Sequence, residues 1–271
     1  MLRLIKYALA ALAFPMALAA QDPLVSLERL DQVRDWRAVG LLQIGQFGSC
    51  TGTLIEPDLV LTAAHCLVDE AGDLHAPSTI VFRAAFQNGR QAAAVRAMST
   101  AIPDDYDRNG DRVREGFAVD LGLIRLTTPI LRTQVAPFRV VDLIAGDDEL
   151  AVVSYGQGRN EAPSLQRVCN LLGRRQGMVV MDCDATFGSS GAPVFVLRDG
   201  GPRIASVLTG TFESNGSQYS IGVQLNQLLP MLRRKLSGLG GQVGTPSGAS
   251  VTIVRPGERS DTGARFVQVG D

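Results

Sequence analysis

Between Arg37 and about Leu131 the chain alternates short apolar, β-branched runs with Gly, Pro and Asp punctuation. Examples are Val39–Ile44, Leu59–Thr62, Thr79–Phe82 and Leu121–Leu126. After Pro129 and Pro137 comes a second set: Leu150–Tyr155, Gly177–Met181, Pro193–Leu197, Ile204–Leu208 and Tyr219–Val223. Many short strands at this spacing predict an all-β barrel or sandwich, and two sets predict two lobes. Helical signal is confined to an entry piece, Val25–Val33, a turn after His65, and Leu225–Leu236. In the last of these Pro230 is tolerated only near a first turn, so the helix should begin close to it. Gly238 and the Gly-rich stretch to Gly248 read as a linker. Residues 251–254 and 265–269 could form a late hairpin, but the tail is poor in apolar residues, and poor order is expected over much of 238–271.

The first twenty residues differ in kind. Arg3 and Lys6 precede an uncharged apolar run from Tyr7 to Leu18 that ends in Ala17-Leu18-Ala19-Ala20. This reads as a secretory signal peptide cleaved near Ala19 or Ala20. A retained anchor would need about 20 apolar residues. The expected organisation is signal 1–20, N-terminal segment 21–35, one folded domain over 36–236 with lobes at 36–131 and 138–236, and a tail over 237–271.

Without the signal, 24 basic residues face 27 acidic ones. This near-neutral balance offers no electrostatic case for nucleic acid. Cys50, Cys66, Cys169 and Cys183 fall into two local pairs, which in an exported chain read as two disulfides. Metal binding is disfavoured, because the chain has no Cys-x-x-Cys and its 2 histidines are His65 and His75. A soluble monomer outside the cytoplasm, without cofactor or stable membrane association, is expected.

Three segments carry chemistry. They are Leu61-Thr62-Ala63-Ala64-His65-Cys66, Asp120-Leu121-Gly122-Leu123-Ile124 and Gly188-Ser189-Ser190-Gly191-Ala192-Pro193. Serine-based cleavage of a peptide or ester needs a hydroxyl, a base that takes its proton, and a carboxylate that sets the tautomer of that base. Ser190, His65 and Asp120 supply these types. The glycines flanking Ser190 permit an exposed turn in which the N–H groups of Gly188 and Ser190 can face a developing oxyanion. The chain order His, Asp, Ser differs from that of the Gly-x-Ser-x-Gly elbow.

On these three segments the chain resembles the chymotrypsin/trypsin-like serine peptidases, closest to their bacterial V8-like glutamyl-endopeptidase branch, over roughly residues 36–236. The resemblance implies two six-stranded antiparallel β-barrels with a C-terminal helix, a Ser190-His65-Asp120 triad between the lobes, and a polypeptide substrate. It also implies that Cys50 pairs with Cys66 and braces the His65 loop. Thr209 and Gly210 would lie on the edge that pairs with substrate backbone. Two features depart from the family pattern. Ser189 stands where trypsin-like zymogens carry an acid, and Ile204–Gly210 lacks the His used by glutamate-preferring pockets. Asp184, six residues before Ser190, matches the position that binds Lys or Arg in trypsin-like enzymes, and a basic preference is the expectation taken from it. A structural Asp beside Cys183 is the alternative.

Asp105-Tyr106-Asp107-Arg108-Asn109-Gly110-Asp111 matches the first half of a calcium loop. The closing acid, Glu115, comes one residue early, so a solvated loop is the reading taken. His75 is expected at the surface. The whole reads as an exported serine endopeptidase acting through an acyl-enzyme. Its rivals are a catalytically silent secreted binding module and an exported esterase on the same fold.

Overall fold

The computed structural model describes residues 23–46, 48–108, 117–142, 148–156, 158–186, 188–198, 200–214 and 216–240. The expected signal peptide, most of the tail with its possible hairpin, and the second half of the acidic loop lie outside the described residues. The strands in chain order are β1 (Val25–Ser26), β2 (Val39–Ile44), β3 (Gly48–Glu56), β4 (Leu59–Thr62), β5 (Ile80–Ala84), β6 (Ala93–Ala101) and β7 (Gly122–Leu126). Then follow β8 (Glu149–Ser154), β9 (Ser164–Cys169), β10 (Leu171–Arg175), β11 (Met178–Met181), β12 (Pro193–Arg198), β13 (Gly201–Ser214) and β14 (Ser217–Gln224).

The first lobe is a closed antiparallel barrel in the order β2-β3-β4-β7-β6-β5. Its filling is apolar, with Leu42, Leu54, Val60, Phe82 and Ile124 fully buried. Closure leaves little room between strands: a Cβ on Gly40 would meet the Phe82 ring at 2.5 Å and the Arg83 carbonyl at 2.5 Å.

The second lobe is an eight-stranded antiparallel sheet, β1-β9-β8-β12-β13-β14-β11-β10. β9 and β10 are separated in the chain by Asn170 alone, yet β10 ends the order and β9 is next to its other end. The sheet therefore curls back on itself to make a second barrel-like lobe. The Cys169–Cys183 disulfide (Cα–Cα 5.1 Å) and a 2.6 Å bond from Asn170 N–H to Asp182 Oδ1 hold that junction. The entry piece is less helical than its pattern suggests. Val25 and Ser26 pair with Leu165 and Ser164 as the edge strand, and helix begins only at Leu30.

An aromatic seam joins the lobes. Trp36 packs against Phe195 (centroids 5.0 Å apart) and Phe195 against Phe138 (4.6 Å), within a buried cluster that draws Leu61 and Leu123 from one lobe and Val153 and Val207 from the other. The C-terminal helix, Leu228–Gly240, lays Leu229, Leu232 and Leu236 on this seam. Pro230 is its third residue, where no intrahelical N–H is required. Lys235 reaches the Ile102 carbonyl (2.9 Å) and the Asp104 carboxylate, and Arg233 reaches Glu56 (2.8 Å), so a helix that follows the second lobe clamps the first. Helix continues through Gly238 to Gly240, and the rest of the tail lies outside the described residues. Among the described residues no helix is long and apolar enough to cross a membrane.

Candidate active site

β4 ends at Thr62, and the chain bends through Ala63 into one 3-10 turn, Ala64–Cys66, that carries His65. Only small residues fit here: Ala63 and Ala64 are fully buried, and a Cβ on neighbouring Gly122 would come within 2.7 Å of Leu67 and 3.0 Å of the Ala63 carbonyl. The Cys50–Cys66 disulfide (Cα–Cα 6.3 Å) ties the turn to β3. Asp120 lies just before β7, whose Gly122 pairs with Thr62, so adjacent strand ends deliver both side chains. Its buried carboxylate accepts the His65 backbone N–H at 2.9 Å and lies 2.7 Å from His65 Nδ1. This double contact fixes the ring plane. With Nδ1–H donating to the carboxylate, Nε2 is left as the acceptor.

One end of the acidic loop, exposed at Asp105, Asp107 and Arg108, reaches this pair. Arg108 Nη1 donates to the His65 carbonyl at 2.8 Å and to that of Val68 at 3.2 Å. Burial, and then the Asp120 carboxylate, push the Tyr106 phenol up, so it stays protonated beside the acid. Of the calcium-like motif, Asp105 to Arg108 are described, and Asn109 to Glu115 lie outside the described residues.

The second lobe contributes the turn around Ser190. Gly188 (φ 89°) and Gly191 (φ 79°) occupy left-handed backbone. Thr51 on β3 holds the turn across the seam. Its hydroxyl accepts the Tyr155 N–H at 3.0 Å and donates to the Gly188 carbonyl at 2.9 Å, and its N–H donates to the Ser190 carbonyl at 2.8 Å. Ser189 is fully buried, with Oγ in reach of the Thr186 N–H (3.3 Å), Ser154 Oγ (3.3 Å) and Arg159 Nη2 (3.5 Å). Ser190 is half-buried and lines a cleft of about 1490 Å³ that it shares with His65, Asp120, Gly188, Tyr106 and Arg108. Among the described residues no acceptor engages the N–H of Gly188 or Ser190, and no hydrogen bond joins Ser190 to His65. In unliganded sites such contacts are commonly long and close only around substrate.

Thr209 and Gly210 also line the cleft. β13 pairs with β12 only as far as Val207, so beyond Leu208, among the described residues, it is held by β14 alone and presents one free edge. The Phe117 ring covers Gly210, where a Cβ would come within 2.8 Å of it.

Asp184 is exposed, is absent from the residues that line the cleft, and has its N–H bound by Gln166 Oε1 at 2.7 Å. These observations favour the alternative, a structural Asp beside Cys183, over the floor of a desolvated pocket. Gln218 occupies the cleft instead, donating to the Ala185 carbonyl at 2.8 Å. Cys50, His65 and Cys66 bring three potential metal donors within 4.8 Å, but both sulfurs are spent on the disulfide. His75 is half-buried at the cleft margin rather than at the open surface. Thr51 and Arg159 lie in no motif, and Tyr106 and Arg108 stand only in the calcium-like one, since each acts through contacts between distant segments.

A family model for the trypsin-like peptidase domain matches residues 50–201. No curated protein matches the chain. Among solved structures, a Glu endopeptidase in complex with MPD aligns with a TM-score of 0.65 at 16% identity, covering 80% of this chain and 97% of its own. Protease Anisep from Arthrobacter nicotinovorans aligns with a TM-score of 0.59 at 19% identity, covering 74% and 96%. These similarities speak for the fold. The family match spans more than half of the chain and takes in all three motif segments: the chain belongs to the trypsin-like peptidase domain family.

Proposed function

We propose that the protein is a serine endopeptidase in which Ser190 attacks the scissile carbonyl, His65 takes the hydroxyl proton through Nε2, and Asp120 holds the imidazole and stabilises its charged form. The observation that carries this reading is the Asp120 carboxylate, buried and spanning both the backbone N–H and Nδ1 of His65 on the wall of the cleft that Ser190 lines. Attack would give a tetrahedral oxyanion received by the N–H groups of Gly188 and Ser190. Collapse expels the amine, which takes the proton back from His65, and water then hydrolyses the acyl-Ser190 ester by the same path. The free edge at Thr209 and Gly210 suits an extended peptide added as a short strand.

Export is part of the proposal. Two disulfides in a chain without free cysteines suit an oxidising compartment, and the apolar leader supplies the route. The domain would then comprise 36–236 with the N-terminal segment added as an edge strand.

Fluorophosphonate labelling of the full chain, followed by peptide mapping, tests the nucleophile. The label should sit on Ser190. Ser190→Ala should lower kcat on a casein or peptide-library substrate by about 10⁶ with an unchanged melting temperature. Ser190→Ala retaining a tenth of the activity, or label on Ser189, would end the assignment. An unlabelled, inert but folded chain would favour the silent binding module, and turnover of esters without peptides the esterase.

A further inference from the structure

The Thr186–Ser190 turn is held from two directions. Thr51 engages its carbonyls, as described above, and Arg159 engages its side chains. Arg159 sits in a tight turn between β8 and β9, with its N–H bonded to the Gly156 carbonyl at 2.7 Å. Its Nη2 reaches Thr186 Oγ1 at 3.2 Å and Ser189 Oγ at 3.5 Å. Ser189 Oγ in turn meets the Thr186 N–H and Ser154 Oγ, so guanidinium, Thr186, Ser189 and Ser154 form one small network beneath the turn. Gly156 makes the approach possible. A Cβ there would collide with the guanidinium and come within 2.8 Å of Thr186 Oγ1.

This arrangement is poor value for stability. Both contacts are long and go to neutral hydroxyls, and Nη1 is buried without a hydrogen-bond partner among the described residues. Burial holds the guanidinium below its ordinary range, with the Asp184 charge opposing this. A partly desolvated cation with an orphaned N–H costs more than such bonds return, and apolar replacements of buried charges are often neutral or stabilising. The position of the group is where its use lies: it cross-links the only segment that carries Gly188, Ser189 and Ser190.

We infer that Arg159 is a positioning residue that fixes the Thr186–Ser190 turn, and through it the Gly188 and Ser190 N–H groups, in the geometry that receives the oxyanion. The inference rests on the serine-peptidase reading above and adds a residue to it. Arg159 touches no reacting atom. Its effect falls on the transition state, because ground-state substrate is held by the β13 edge and the cleft walls.

The test uses the full chain with Arg159→Met, Arg159→Lys, Arg159→Ala and Gly156→Ala. Arg159→Met should keep or raise the melting temperature, leave KM for a peptide substrate within about twofold, and lower kcat about 10- to 100-fold, since displacements of about 1 Å in a catalytic array cost on that order. Affinity for a peptide aldehyde, which forms a tetrahedral adduct, should fall with kcat, whereas affinity for a non-covalent peptide inhibitor should not. Arg159→Lys should recover part of kcat. Millimolar guanidinium should recover part of it in Arg159→Ala. Gly156→Ala, which displaces the guanidinium without removing it, should lower kcat by the same mechanism and add little to Arg159→Met. The inference is overturned if Arg159→Met keeps kcat within threefold of wild type while Ser190→Ala is inactive. It is equally overturned if Arg159→Met loses more than about 5 °C of melting temperature, which would make the residue a structural one. An active Ser190→Ala would instead overturn the underlying reading.

Discussion

Gly191→Ala is the sharpest probe of how the two lobes meet at the candidate site. Gly191 has φ 79°, and a Cβ there would collide with Thr62 Oγ1 and the Thr51 carbonyl and approach Ala63 N to 3.1 Å. Three penalties follow. Left-handed backbone costs an alanine about 1 kcal/mol. Overpacking costs about 1–3 kcal/mol. Loss of the buried 2.9 Å bond from Thr62 Oγ1 to the Thr51 carbonyl costs roughly another 1–2 kcal/mol. The total is about 4 kcal/mol, a large part of a domain stability of about 5–15 kcal/mol. At roughly 2–4 °C per kcal/mol for a domain of about 200 residues, the melting temperature should fall by about 12 °C. Differential scanning fluorimetry measures this, and fluorophosphonate labelling at low temperature reports whether the displaced turn still presents Ser190. One colliding atom is a backbone carbonyl, so Thr62→Ala in the same chain should restore little. A fall of less than about 3 °C with full labelling would refute the packing argument.

Further outcomes follow from the same geometry. Asp120→Asn should lower kcat about 10⁴-fold at neutral pH by favouring the wrong His65 tautomer, and stopped assays on a peptide substrate would detect it. Replacing Cys50 and Cys66 together by Ala should remove about 3 kcal/mol, read as a shifted denaturation midpoint, since the bridge closes a 16-residue separation and braces the His65 turn. Asp184→Ser should leave kcat/KM for Lys and Arg substrates within about threefold, because the carboxylate is exposed and outside the cleft; a hundredfold loss would restore it as a pocket residue.

Much of the barrel architecture was legible because short apolar, β-branched runs and Gly/Pro punctuation are local signals. Val39–Ile44 and Leu59–Thr62 appear as strands with the same bounds in sequence and structure, and Pro193–Leu197 differs by a single residue. β6 was not legible. Its Ala-rich segment Ala93–Ala101 has weak intrinsic strand preference and becomes a strand because β5 and β7 flank it inside a closed barrel. The same divide runs through the candidate site. His65, Asp120 and Ser190 stand in short motifs whose neighbours also serve local geometry: Ala63 and Ala64 let the His turn close, and Gly188 and Gly191 let the Ser turn form. Thr51 is separated from Gly188 by 137 residues and Arg108 from His65 by 43, and neither has a neighbour that betrays the contact. For Asp184, spacing from Ser190 does not report whether a side chain turns inward, and in the folded chain the residue is exposed. Motifs thus locate the groups that would react, whereas the groups that hold them are defined by the seam between lobes, which only the folded chain assembles.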